Sequence, residues 1–156
     1  MTSTDNPGVR VPPPLLYAAI FFAAVYIQKR IPLNASFFET GPAKIAGSIL
    51  LFIALILTVI SLRKFFLSKN TIVTIKPATS LQTTGIYKFT RNPMYLSLLF
   101  LYLGLTCFLG NWWNLLLLPI LVLVIQQYVI IREEKYLLRR FGTEYLDYKN
   151  KVRRWL

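Results

Sequence analysis

From Met94 to Ile131 the chain carries no Asp, Glu, Lys or Arg, and this run limits the possible folds more than any other feature. A soluble domain disperses its apolar residues among polar ones; here they are collected into blocks. Ala43 to Leu62 forms a second block whose one charge is Lys44, and a weaker one follows Pro14. A helix needs about 20 apolar residues to cross the hydrocarbon of a bilayer. Four crossings are therefore expected, near 14–28, 45–62, 94–110 and 113–131, the last two joined by the short turn around Gly110 to Asn114. The expected fold class is an all-α polytopic membrane protein with about four transmembrane helices, ending in a cytoplasmic amphipathic helix. Residues 1–13 read as a disordered, proline-rich lead-in to one membrane domain over 14–156.

The formal net charge of +12 would suggest a nucleic-acid partner in a soluble protein. Here the cations stand at the ends of apolar runs, where membrane orientation accounts for them, so no nucleic acid is expected. Arg63, Lys64, Lys69, Lys76, Lys88 and Arg91 lie between the second and third runs with no acid among them. Arg132, Lys135, Arg139, Arg140, Lys149, Lys151, Arg153 and Arg154 follow the fourth. Both segments are expected in the cytoplasm, which agrees with an even number of crossings. The apolar run after Pro14 lacks a small-residue cleavage site and reads as an anchor, not a secretory signal. Cys107, the lone cysteine, reads as a small packing residue. The sequence sets no oligomeric state.

Local signals punctuate this plan. Phe37-Phe38 lies in a polar stretch and is expected to dip toward lipid, and Gly47 among small neighbours allows close approach of a helix or ligand. Alternation over 71–76 resembles a short strand, but it has no partner strand in the chain and reads as an ordered loop. Pro93 suits the first turn of the third helix, and Asn92 before it is a natural N-cap. Trp112 and Trp113 mark the interface level of the hairpin. Beyond Ile131 the fourth helix should extend into the cytoplasm, break at Gly142 and resume as an amphipathic helix through Tyr145 and Tyr148.

Three separated elements carry a resemblance: Thr79-Ser80-Leu81-Gln82-Thr83-Thr84-Gly85-Ile86-Tyr87; then Arg91-Asn92-Pro93-Met94-Tyr95; then Glu133-Glu134 with Phe141-Gly142 and Tyr145 to Tyr148. In order and spacing they resemble the integral-membrane methyltransferases that include isoprenylcysteine carboxyl methyltransferase and phosphatidylethanolamine N-methyltransferase, over roughly residues 45–153. The resemblance implies S-adenosyl-L-methionine as cofactor, held by a core at about 70–153 on the cytoplasmic face, and a lipophilic or lipidated acceptor reached through the lipid bilayer. It implies that Thr79, Ser80, Leu81, Gln82 and Tyr87 line the nucleotide or methionine portion and that Asn92, Pro93, Met94 and Tyr95 form the adjoining wall. Glu133, with Glu134 beside it, would take the ammonium. Aligning the motif on Phe141-Gly142 favours Glu133. Helical periodicity alone does not choose, because adjacent residues point about 100° apart and both face one small pocket only where the helix is distorted.

The chain also departs from the family pattern. Arg91-Asn92-Pro93 stands where the prenylcysteine enzymes show Arg-His-Pro, and the chain has no histidine at all. The Asn-Pro-Met-Tyr form is similar to that of the phospholipid enzymes. Val129 occupies the position of the substrate-holding arginine, which leaves Arg132 to orient substrate or else an acceptor without a carboxylate. Two other functions compete. An NADPH-dependent membrane reductase of the sterol-reductase type shares a related motif, but carries an acid where this chain has Leu98. A non-catalytic membrane adaptor on the same fold would bind no cofactor.

Overall fold

The structure, a computed structural model, describes residues 6–67 and 80–156, with side chains to Lys64 in the first of these segments. The described residues are helical and contain no strand. The helices are α1 (Pro13–Arg30), the single turn α2 (Ser36–Glu39), α3 (Gly41–Leu67), α4 (Pro93–Leu109), α5 (Trp112–Phe141) and α6 (Thr143–Lys151). A 3-10 turn at Gly85–Lys88 precedes α4. Among the described residues two helices are long and apolar enough to cross a membrane, Gly41–Lys64 and Trp112–Phe141, while Pro93–Leu109 is apolar but shorter. The strand-like alternation at 71–76 lies outside the described residues.

The largest helix contact pairs α3 with α4, and its closeness depends on two glycines. A Cβ on Gly47 would stand 2.8 Å from Cys107 Cβ, and one on Gly104 would stand 2.7 Å from Leu51 Cγ and 3.1 Å from the Gly47 carbonyl oxygen. Packing of this kind replaces the hydrophobic drive that apolar helices lack within lipid. The opposite face of α3 leaves Ile45, Ile49, Phe52 and Leu55 exposed. Across the bundle, α1 lies against α5, and Tyr17, Phe21, Tyr102, Leu121, Ile125 and Val129 form the central core.

The α4–α5 hairpin is closed by local chemistry. Gly110 takes φ 63° to end α4, and the Asn111 side chain accepts from Trp113 N at 2.9 Å to start α5. Trp112 Nε1 and Trp113 Nε1 donate to the Asn34 and Ile31 carbonyls at 2.8 and 2.9 Å, fixing the α1–α2 connection to the hairpin. Phe38, expected to dip toward lipid, is instead buried against the Trp112 ring with centroids 4.8 Å apart, while Phe37 is exposed. In the proline-rich lead-in, where composition suggests disorder, Val9 is 2% exposed within the core. That contact and Arg132 Nη1 donating to the Gly8 carbonyl at 3.1 Å tie the segment to α5.

One irregularity governs the site. Between Ile125 and Ile130 α5 is wound as a π-helix, so the part after it, Ile131–Phe141, is rotated relative to an ideal continuation of the part before it. Gly142, at φ 55°, then separates α5 from α6.

Candidate functional site

The site forms where the start of α4, the charged end of α5 and the face of α6 converge. Pro93 occupies the first turn of α4 and is buried. Asn92 stands at the N-cap position, yet its side chain makes no capping bond. Its amide Nδ2 instead donates to the Arg154 carbonyl at 2.9 Å, and its backbone N–H donates to Thr90 Oγ1 at 3.2 Å. The sequence-based expectation of a side-chain cap is therefore corrected: Asn92 holds the cap position, but donation of its Nδ2 to a distant carbonyl turns the side chain away from the first-turn N–H groups, and a proline-led helix has one fewer N–H to satisfy.

The two glutamates diverge. Glu133, partly buried, accepts a 2.5 Å hydrogen bond from the Tyr95 hydroxyl. Tyr95 is itself fixed through its backbone carbonyl, which accepts from the Tyr17 hydroxyl at 2.9 Å. Among the described residues no cation lies within ion-pair distance of Glu133. Glu134 is the opposite case. Arg154 Nε and Nη2 grip its two oxygens at 2.8 Å each, Arg91 Nη2 stands 3.3 Å from Oε1 and Lys149 Nζ 4.0 Å from Oε2. A bidentate, charge-assisted pair of this kind is among the strong polar contacts. The hydrogen bond to Glu134 holds the Arg154 guanidinium above its already high usual range.

Around this pair lies a tyrosine cluster of Tyr87, Tyr145 and Tyr148, with Leu81, Ile86 and Phe141 against it. The Tyr148 hydroxyl donates to the Tyr87 carbonyl at 2.7 Å and so docks α6 on the 3-10 turn. Burial, followed by the Glu134 charge, pushes the Tyr145 phenol up to about 12, so it is a neutral donor at any ordinary pH. Gln82 Nε2 donates to Ser80 Oγ at 2.8 Å, and Met94 is partly buried next to Pro93. Thr79 lies outside the described residues.

Arg132, the residue expected to orient substrate, is exposed on the other side of α5. Its guanidinium stacks over the Tyr128 ring at 4.6 Å and donates to Gly8. The π-wound turn supplies the reason, because it brings Val129 and Ile130 fully inward and leaves Arg132 exposed.

Comparison with known proteins gives the family. The family model described as phospholipid methyltransferase matches residues 42–144. The chain belongs to the phospholipid methyltransferase family. It is 56% identical over 63 residues to a Haemophilus influenzae protein named only as uncharacterized, covering 40% of this chain and 100% of that one. It is 38% identical over 72 residues to the protein-S-isoprenylcysteine O-methyltransferase of Saccharomyces cerevisiae, covering 44% of this chain and 29% of the yeast protein. The corresponding Schizosaccharomyces pombe protein is 36% identical over 72 residues, covering 46% and 30%. The chain thus spans less than a third of the length of these two enzymes. No solved structure matches.

Within this membrane methyltransferase family, the residues that sequence reasoning missed are Tyr17, Thr90 and Arg154. Each acts across a long chain separation: Tyr17 on residue 95, Thr90 on residue 154, and Arg154 on residues 92 and 134. The Arg153-Arg154 pair was visible only as positive charge, which topology already explained.

Proposed function

We propose that this chain transfers a methyl group from S-adenosyl-L-methionine to a lipophilic acceptor at the cytoplasmic face of a membrane, crossed by α1, α3, α4 and α5. What carries the reading is the asymmetry of the two carboxylates. In a chain of net charge +12, Glu134 has three cationic neighbours among the described residues, while Glu133 is met there by one tyrosine hydroxyl. A partly buried carboxylate left in that condition suits a cationic ligand, and the ammonium of the methionine portion is one.

S-adenosyl-L-methionine, when bound, supplies a methyl group already activated on a sulfonium. The protein's part is chiefly alignment, since near-attack geometry removes much of the barrier to such a transfer. Glu133 binds the ammonium, and Tyr95, anchored by Tyr17, holds the carboxylate in place. Ser80, Leu81, Gln82 and Tyr87, with Thr79 before them, line the nucleotide or methionine portion. Pro93 and Met94 form the adjoining wall, Asn92 fixes the turn that leads into it, and the buried tyrosines Tyr87, Tyr145 and Tyr148 exclude water. Glu134 acts as a counterion within the wall.

The acceptor is either the carboxylate of a prenylcysteine-like molecule or a lipid head group. An ionised carboxylate needs no base, and a protonated amine must lose its proton to a carboxylate, tyrosine, lysine or water, since the chain has no imidazole. Arg132, facing the lead-in and Tyr128, is available to such an acceptor only after leaving Gly8.

The test is to purify the protein in detergent, supply methyl-labelled S-adenosyl-L-methionine with a membrane lipid extract, a prenylcysteine and phosphatidylethanolamine, and identify the labelled product. A labelled lipid-soluble product is expected. Label only in water-soluble molecules overturns the acceptor class. Binding of NADPH in place of S-adenosyl-L-methionine would reassign the chain to the reductases.

A further inference from the structure

After α6 the backbone turns to an extended form at Val152, and the next three residues connect separate parts of the site. The Arg91 N–H donates to the Arg153 carbonyl at 3.0 Å. The Arg154 carbonyl accepts from both Thr90 Oγ1, at 3.3 Å, and Asn92 Nδ2, at 2.9 Å. The Arg154 guanidinium turns the other way, onto both oxygens of Glu134. Trp155 packs against the core, and its Nε1 donates to Gln126 Oε1 at 3.3 Å, within the π-wound stretch. Residues 153–155 therefore join the entry turn of α4 to α5 at two points, Gln126 and Glu134, which are two turns apart along the helix.

We propose that this segment is a strap that sets the cofactor site, with Arg154 as its positioning residue. By its carbonyl Arg154 fixes the Thr90–Asn92 turn against Pro93, and by its guanidinium it takes Glu134 as partner. Glu133 is thereby left as the carboxylate that meets the ligand. Arg154 touches neither ligand nor acceptor; it determines which acid is available and where the wall stands. The inference rests on the functional reading above for the identity of the ligand. The strap itself rests on the hydrogen bonds just given.

Arginine is required for a geometric reason. Its rigid fork meets both carboxylate oxygens at once, whereas a lysine ammonium is a point charge and meets one. Arg154→Lys should therefore retain part of the function and Arg154→Gln almost none. Groups in one contact network couple by roughly twofold to over a hundredfold in an equilibrium constant, with about tenfold in the middle of that range. Arg154→Gln should thus weaken S-adenosyl-L-methionine binding by about tenfold or more, with Arg154→Lys between it and wild type.

The experiment uses full-length protein in detergent and three measurements. Calorimetry gives the affinity for S-adenosyl-L-methionine, steady-state kinetics gives the separate KM values for cofactor and acceptor, and hydrogen exchange follows the Arg91 amide. Arg154→Gln should raise the cofactor KM while leaving the acceptor KM nearly unchanged, and should speed exchange at Arg91, with Arg154→Lys partly restoring both. If Arg154→Gln fails to fold, Arg154→Lys and Trp155→Phe, which removes the bond to Gln126 but keeps an aromatic ring against the core, carry the same comparison with smaller shifts. Wild-type affinity in these variants, or equal rises in both KM values, overturns the strap while leaving the functional reading intact. A wild type with no affinity for S-adenosyl-L-methionine, alongside faster Arg91 exchange in Arg154→Gln, overturns the functional reading and keeps the strap as a structural tie.

Discussion

Replacing Glu133 by glutamine retains the shape of the side chain and removes its charge, which makes Glu133→Gln the sharpest test of the site. The magnitude depends on whether the carboxylate behaves as a buried or an exposed partner. An exposed ion pair is worth about 0 to 1 kcal/mol, which would change affinity less than about fivefold. Neutralising one partner of a buried, hydrogen-bonded charge pair costs roughly 2 to 5 kcal/mol. The surroundings decide for the second case: Tyr95 is 9% exposed, and Val129 and Ile130 on the same turn of α5 are 0% exposed, so little water is available to screen the charge. At about 1.4 kcal/mol per decade, Glu133→Gln should weaken S-adenosyl-L-methionine binding by roughly 30-fold or more. Glu134→Gln is the control with a different expected signature. It leaves Arg154, Arg91 and Lys149 without their shared partner; the side chains of Arg154 and Lys149 are 29% and 39% exposed and can meet water, whereas that of Arg91 is 9% exposed. Its cost should fall chiefly on folding, at about 2 kcal/mol, between the buried and exposed limits. Calorimetry for affinity and thermal unfolding for stability separate the two. Near-normal affinity in Glu133→Gln with collapse in Glu134→Gln would reverse the assignment, and near-normal affinity in both would remove the carboxylates from the site.

Other consequences are as direct. Gly47→Ala or Gly104→Ala should destabilise the α3–α4 contact by about 1 to 3 kcal/mol through overpacking, visible as a lower unfolding midpoint, and an unchanged midpoint would mean that the helices separate without cost. Asn92→Ala loses the amide bond to the Arg154 carbonyl and should cost about 1 kcal/mol; activity should shift without loss of a limb in its pH profile, since an amide does not titrate. Deleting Gln127, exposed in the π-wound stretch, should return it to α winding with both flanks in register and leave cofactor affinity within a few-fold, whereas a one-residue insertion there should abolish binding. The opposite order would mean the π turn is not what aims the glutamates. In a Cys107→Ser background, a cysteine at position 150 should react only from the cytoplasmic side, and labelling from the other side would overturn the topology.

The helices were legible because each rests on a local signal. The apolar runs, Pro93 at the first turn of α4, the Gly110 to Asn114 hairpin and the break at Gly142 are all read within a few residues of where they act. Phe37 and Phe38 show the limit of that reading. Both look alike in sequence and both meet the distant Trp112 ring, yet Phe38 is buried and Phe37 exposed. Asn92 shows it again, since a capping residue beside a proline is locally persuasive, but the partner that wins its amide lies 62 residues away. The candidate site was legible as motifs and illegible as contacts for the same reason. Tyr95 and Glu133 both stood out, whereas the hydroxyl of Tyr17 that anchors them looked like one more aromatic in an apolar run.

The π-wound stretch explains why the paired acids have separate roles. Asn114, Leu121 and Ile125 are buried along one stripe of α5, and continuing that stripe at helical spacing leads to positions 128 and 132. An undistorted helix would therefore aim Tyr128 and Arg132 at the core and turn the glutamates aside. The wider turn at Ile125–Ile130 accommodates an extra residue, so the inward stripe resumes at Val129 and Ile130 and arrives at Glu133 and Glu134. The two acids remain about 100° apart, and that angle sends Glu133 to Tyr95 on α4 and Glu134 to Arg154. The same rotation leaves Arg132 exposed, its guanidinium stacked over the Tyr128 ring. One local irregularity thus selects which charge enters the site, and the angle between neighbours divides the pair into a ligand-facing acid and a counterion.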